Sequence, residues 1–284
     1  MKSSPATPFA AARIDRLCPC RIREIVIRQS KRANVGHIGS ALSIADIVAA
    51  LYGGVLRIDA PDDPGRDRFV LSKGHASLAL YAALFLRGWI SERQLNSFCT
   101  DGTLLGVHPE HGLSGVEFST GSLGHGLPIG AGCALAARLQ GSDRRVFVVV
   151  SDAECDEGSL WESVMFAAHH RLDNLIAIVD MNGQQALGRT REILDLDPLD
   201  RRWEAFGWET RSVDGHDLDA LAGALVPGDR GVPVAVIAST VFGKGVSYME
   251  GQLKWHYWPM SNDEYQQALD EVGALKCAWH SSAP

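Results

Sequence analysis

Two apolar runs in this chain stop abruptly at oxygen-bearing side chains. In VFVVVSDAECDEG, residues 146–158, four acids occur within six positions: Asp152, Glu154, Asp156 and Glu157. In NLIAIVDMNG, residues 174–183, the run stops before Asn182. A carboxylate and an amide at two strand ends can share one hard cation. Magnesium takes about six oxygens at roughly 2.0–2.1 Å, a few from protein and the rest from phosphate and water. A backbone carbonyl just after Asn182 would add a third protein oxygen. Plainer readings compete. Strand-end acids often cap helices, Asp156 and Glu157 can complement the positive end of the next helix, and Glu154 reads as solvated.

These donors meet only if the elements bring them together. Residues 146–180 read as strand, acidic loop, helix and strand. That is one βαβ unit with parallel strands and a right-handed crossover. Neighbouring strands lie roughly 4.8 Å apart, and open α/β sheets bind ligands at their carboxyl edge. RVFVVV, NLIAIVD and VPVAVIAST are apolar, β-branched runs of the kind buried in parallel sheets. RFVLSKGH is a short strand entering a loop. ALSIADIVAALYGG reads as an amphipathic helix ended by glycine. ASLALYAALFLRG, GHGLPIGAGCALAARLQG and EGSLWESVMFAAHHRL read as further helices. Alternating strands and helices predict an α/β fold, a parallel sheet with helices on both faces. The expected organisation is a loose N-terminus over residues 1–20, one domain over 21–272 and a C-terminal tail over 273–284.

Composition narrows the function classes. The chain has 284 residues and a formal net charge of −7, which argues against a nucleic-acid surface. No apolar run approaches the roughly 20 residues of a membrane helix, and the first residues lack the apolar centre of a secretory signal. The six cysteines are scattered, with no CxxC and no zinc-like spacing. A reduced, cytoplasmic location is expected.

Ten histidines occur. His37, His75 and His108 stand beside glycine or proline in GHI, GHA and VHP, the setting of functional loops. An unperturbed pKa near about 6.5 suits imidazole to moving protons. His169 and His170 read as helix packing or surface residues, and His111, His216 and His280 as loop or terminal residues. His125 lies between these classes. Trp255 and Trp258 read as packing or interface residues. Lys244, between two glycines, could contact a phosphate.

SDAECDEGSLWESVMFAAHHRLDNLIAIVDMNG resembles the thiamine diphosphate motif, in its transketolase form. VGHIGSALSIADI, DRFVLSKGHASLALYA, GVHPE, GVEFSTGSLGHGLPIGAG, GWETRSVDGHD and FGKGVSYME followed by KWH resemble transketolase segments in the same order. The resemblance runs from about residue 20 to 270. It implies that Asp152 and Asn182 bind magnesium through their side chains and Gln184 through its carbonyl. His75 and His256 would touch the diphosphate or the reacting end of thiamine diphosphate. His37 and His108 would face the sugar. Gly121, Ser122 and Leu123 would line the thiazole–pyrimidine region, with Ala153 and Glu157 also at the cofactor.

The resemblance covers only the diphosphate-gripping part of a transketolase. A C-terminal, pyrimidine-binding partner chain, the second subunit, is therefore expected to supply the glutamate that activates the cofactor ring. The chain is expected to transfer a two-carbon ketol unit between sugar (phosphate) substrates, within a homodimer completed to a heterotetramer. The family's Gly-Asp-Gly is here Ser151-Asp152-Ala153, and the Ala153 methyl is harmless only if its φ is negative. That departure motivates a rival reading, a chain without chemistry serving as scaffold or regulator. A natural-product transketolase is another. A phosphatase would need an aspartate where Glu154 stands, and a dinucleotide enzyme would need a GxGxxG after an early strand; GSLGHG does not follow one.

Overall fold

The computed structural model describes residues 17–282, with side chains through residue 275. The strands in chain order are β1 (Arg68–Leu71), β2 (Val146–Ser151), β3 (Leu175–Met181), β4 (Gln184–Gln185), β5 (Gly188–Arg189), β6 (Glu209–Asp214) and β7 (Val234–Ser239). Five of them form one parallel sheet in the order β1-β2-β3-β7-β6. β4 and β5 pair as a small antiparallel hairpin beyond the end of β3.

Period-two alternation divides the sheet between two cores. Phe147, Val149, Ile176 and Ile178 face one side, packed under α1 (Pro19–Ala33), α2 (Ile38–Ser43), α3 (Ala45–Ala50) and α4 (Ser77–Leu86). Val146, Val148, Val150, Ala177 and Val179 face the other, under α5 (Gly126–Leu139) and α6 (Gly158–His169). Every residue of β2 is buried. Each such valine contributes about 1.5–3 kcal/mol of transfer free energy. This buried centre holds the strand ends in register, with Ser151 beside Asp180.

Three elements differ from the sequence expectation. Residues 41–54 do not form one amphipathic helix: α2 and α3 are separate, both are buried on every side, and a π-turn, Leu51–Val55, follows. They are sandwiched between helices and sheet, so no polar face is needed. β6 escapes periodicity because it is a partly exposed edge strand whose residues are polar apart from Val213. The expected boundary at 272/273 falls inside α7, a helix over Asn262–Ser282. The expected looseness of residues 1–16 lies outside the described residues, while Leu17 and Cys18 are buried and α1 begins at Pro19.

Candidate cofactor and metal site

β2 and β3 are hydrogen-bonded neighbours, so Asp152 and Asn182 leave the same edge of the sheet. Asp152 begins a 3-10 turn over Ala153–Asp156 with φ −58° and ψ −41°. Its Oδ1 accepts from the Ala153 N–H at 2.9 Å and its Oδ2 from the Gly183 N–H at 2.7 Å. One carboxylate therefore ties together the loops after two adjacent strands. It is 8% exposed. Burial, and then the neighbouring Asp180, push its carboxyl up to about 7. The two backbone donors and the Lys73 ammonium oppose this without cancelling it. Asp152 is thus a buried carboxylate with no cationic side chain bonded to it among the described residues. The Asn182 Oδ1 accepts from the Gln184 N–H at 2.9 Å. Ala153 is absent from the positive-φ residues, so its methyl causes no backbone strain.

Glu154 is not solvated. It is fully buried. Its Oε1 accepts from the Ser72 hydroxyl and from the Gly124 N–H at 2.8 Å, and its Oε2 from the Ser151 N–H at 3.3 Å. Burial raises its carboxyl pKa despite these bonds. Glu154 clamps the 121–126 loop to the ends of β1 and β2. The loop also packs tightly: a Cβ on Gly74 would meet the Gly121 N at 2.8 Å, and Gly121 sits at φ +147° with the His108 ring against it. Ser122 is exposed and Leu123 half-buried in this loop. Asp156 takes a bond from Gln185 at 3.2 Å, and Glu157 occupies the position before α6 without capping it.

Three of the four expected histidines come together. The ring centroids lie 5.8 Å apart for His37 and His75, 5.3 Å for His37 and His256, and 5.7 Å for His75 and His256. They arrive from different places: the loop before α2, the turn after β1, and a 3-10 turn over Leu253–His256. Burial is the main cause that lowers all three, and the Lys73 ammonium adds to it at His75 and His256; His256 falls to about 4 and His75 well below 6.5. They are neutral near pH 7. The Nδ1 atoms of His37 and His256 are buried and unpartnered. His37 holds the left-handed conformation, φ 60°, uncommon for a residue other than glycine. His108 joins through Gly121 and as the charge neighbour of His37.

Other residues sort differently. His216 is no incidental loop residue: its Nδ1 lies 2.7 Å from Asp46, and its Nε2 accepts from the Val241 N–H at 3.0 Å. That contact steadies the turn that carries Phe242, whose ring stacks on His256. Lys244 lies 3.9 Å from Glu250. Trp255 is buried and Trp258 exposed. The sequence reading missed Lys73 and Asp180, which form an ion pair fully buried on both sides. An aspartate inside the buried run IAIVD was the available signal, because a buried acid needs a partner.

A cavity of about 380 Å³ opens beside Asp152, Asn182, Gly183 and Thr240, with Arg189 and Arg191 on its rim. Among the described residues, no cluster of three His, Cys, Asp or Glu side chains could hold a metal, and no helix is long and apolar enough to cross a membrane.

Residues 14–278 match the family model "Transketolase, thiamine diphosphate binding domain". Over 257 residues the chain is 40% identical to the 6-deoxy-6-sulfo-D-fructose transketolase subunit of Clostridium sp., covering 88% of this chain and 93% of that one. It is 39% identical over 256 residues to an apulose-4-phosphate transketolase subunit of Phocaeicola vulgatus, covering 89% and 90%. The crystal structure of Campylobacter jejuni transketolase superimposes with a TM-score of 0.82 at 30% identity, covering 94% of this chain but 43% of that one. The chain belongs to the transketolase family and corresponds to its thiamine diphosphate-binding domain.

Proposed function

We propose that this chain is the diphosphate-binding subunit of a two-chain, magnesium-dependent transketolase. Asp152, Asn182 and the Gln184 carbonyl would hold Mg²⁺, and the ion would link the protein to the diphosphate. The observation that carries this reading is the buried Asp152 carboxylate beside the Asn182 amide at adjacent strand ends. The donor set is all oxygen, as magnesium prefers. The unpartnered Nδ1 atoms of His37 and His256 fit a site that accepts a further polar group.

When bound, thiamine diphosphate supplies the electron sink for making and breaking a carbon–carbon bond beside a carbonyl. The protein positions and moves protons. His75 is oriented by Ser40, whose Oγ lies 2.8 Å from its Nε2. Neutral His37 and His256 can each donate at one ring nitrogen and accept at the other. With His108 they can bind sugar hydroxyls and shift protons between them at neutral pH. Gly121, Ser122 and Leu123, in the loop held by Glu154, would line the ring end of the cofactor.

The relatives that this chain matches nearly end to end are named subunits. This supports a separate pyrimidine-binding partner and sugar (phosphate) substrates. The outward sides of α5 and α6 expose Leu139, Met165 and Phe166. That apolar surface supports a homodimer, completed by two partner chains into a heterotetramer. The free cysteines support a reducing, cytoplasmic setting. The scaffold alternative is weaker, because the histidine cluster is assembled and Ala153 is unstrained.

Calorimetry of thiamine diphosphate binding with and without Mg²⁺ tests the proposal. The wild type is expected to need Mg²⁺, and Asp152→Ala to lose that dependence. Equal coupling in the variant would remove Asp152 from the site. Ketol transfer should require the partner chain, and steady turnover by this chain alone would refute the two-chain reading. Light scattering that finds a monomer, even with cofactor, Mg²⁺ and partner present, would refute the assembly.

A further inference from the structure

Asp180 lies on β3 with its side chain on the α1–α4 side of the sheet. It is fully buried, and both oxygens are engaged. Oδ2 accepts from the Ser43 hydroxyl at 2.8 Å, from the Lys73 ammonium, and from the Asn182 Nδ2 at 2.7 Å. Oδ1 accepts from the Thr240 hydroxyl at 2.5 Å. These donors come from α2, from the turn after β1, from the loop after β3 and from the loop after β7. A carboxylate so occupied has no role as a cation ligand. Four segments nevertheless converge on it at the carboxyl edge of the sheet.

The bond to Asn182 has a chemical consequence. An amide presents an oxygen on one side and two N–H donors on the other, and only the oxygen can ligate a cation. In the observed orientation Nδ2 meets the Asp180 carboxylate and Oδ1 meets the Gln184 N–H. A flipped amide would set oxygen against carboxylate and N–H against N–H. Both contacts would repel. The Gln184 bond alone is a single neutral contact. The charged one, set in a buried site, is the stronger constraint.

We propose that Asp180 is the positioning residue of the cation site: its carboxylate holds the Asn182 amide so that oxygen, not N–H, is offered to the cation. Lys73 is then the counter-charge that lets Asp180 remain a buried carboxylate. Ser43 and Thr240 donate to Asp180 rather than to Asn182. Groups that orient a ligand in this way typically carry about 10–100-fold of metal affinity when mutated.

The inference rests on the magnesium and thiamine diphosphate reading above, and the experiment separates the two. The readout is the Mg²⁺ concentration that half-saturates thiamine diphosphate binding to the full chain, measured by calorimetry rather than by turnover. Asp180→Asn alone strands the Lys73 charge and risks unfolding, so the informative variant is Asp180→Asn combined with Lys73→Met. This pair is charge-neutral, and its fold is checked by circular dichroism. It is expected to bind the cofactor with a Mg²⁺ requirement raised at least about tenfold, within the range for such groups. Thr240→Val, which also removes a bond to Asp180, is expected to shift it less than about threefold, one ordinary hydrogen bond being worth little at one remove. A folded double variant with the wild-type Mg²⁺ requirement would overturn the proposal. So would a shift in Thr240→Val as large as in the double variant, because the network would then act as a generic brace. If the wild type itself shows no Mg²⁺ dependence, the magnesium reading fails instead.

Discussion

Asp67 at the amino edge of the sheet and Asp152 at the carboxyl edge are both buried, yet their surroundings differ. At the amino edge, Asp67 is 1% exposed and surrounded by cations. It accepts from the Arg57 N–H at 2.8 Å, the Arg145 N–H at 3.0 Å and the Arg145 Nε at 3.0 Å, with Arg57 Nη2 at 3.1 Å. Burial alone would raise its carboxyl, but Arg145 and these backbone donors hold it below its usual value. At the carboxyl edge, Asp152 has two backbone donors and Asp180 beside it, and its carboxyl rises. One aspartate has its compensation inside the chain; the other lacks it. A buried charge paired within the chain serves the fold, and the contrast with Asp152 is what the proposed cation site rests on.

The sharpest break in this comparison is Lys73→Met. It leaves Asp180 buried and uncompensated, and removing one member of a buried pair costs about 3–5 kcal/mol. Denaturant unfolding should show the loss, and should show most of it recovered in the charge-neutral double variant. A loss under about 1 kcal/mol would mean that water reaches Asp180 in place of the ammonium.

Next comes pH. The folded Asp67 carboxyl lies below its unfolded value, so its stabilisation is present above the unfolded pKa, about 3.9. It is lost as pH falls through the lower, folded value. Asp67→Asn should therefore be less stable than wild type at pH 7, and the gap should close in acid. A gap that stays constant with pH would show that shape, not charge, is what Asp67 supplies.

Asp152→Ala should behave quite differently from Lys73→Met. It removes a carboxylate the ligand-free fold does not balance. The change in stability should therefore stay within about 1–2 kcal/mol, the cost of freeing two backbone donors. Unfolding measured without Mg²⁺ or cofactor checks this, and a loss of Lys73→Met size would place Asp152 among the architectural charges.

The smallest expected effect is Ala153→Gly. With no positive φ to relieve, restoring glycine should lower stability by about 0.5–1 kcal/mol through backbone entropy. Tighter cofactor binding, expected if the methyl were strained, should not appear. Its appearance would reopen the question of Ser151-Asp152-Ala153.

The parallel strands were legible because continuous β-branched runs have few other folded states. Asp152 and Asn182 were legible as a pair because each ends such a run and the runs are adjacent in sequence. Glu154 was misread because nothing local distinguishes an acid clamped by Gly124, Ser72 and Ser151 from a solvated one. His216 was misread for the same reason, since Asp46 lies far away in the chain. Edge strand β6 carried no apolar pattern because half of it faces water.

The sequence by itself determined the alternation of strands and helices, the family, and which oxygen-bearing side chains stand at strand ends. These follow from local periodicity and from ordered motifs, which need no knowledge of distant contacts. Only the tertiary structure decided which charges are balanced. It brought Lys73 to Asp180, Arg145 to Asp67 and three histidines from separate loops into contact, and it left the Asp152 carboxylate with backbone donors but no ion-pair partner among the described residues. The physical reason is that electrostatic compensation depends on distance and burial, and neither is fixed until the chain has closed on itself.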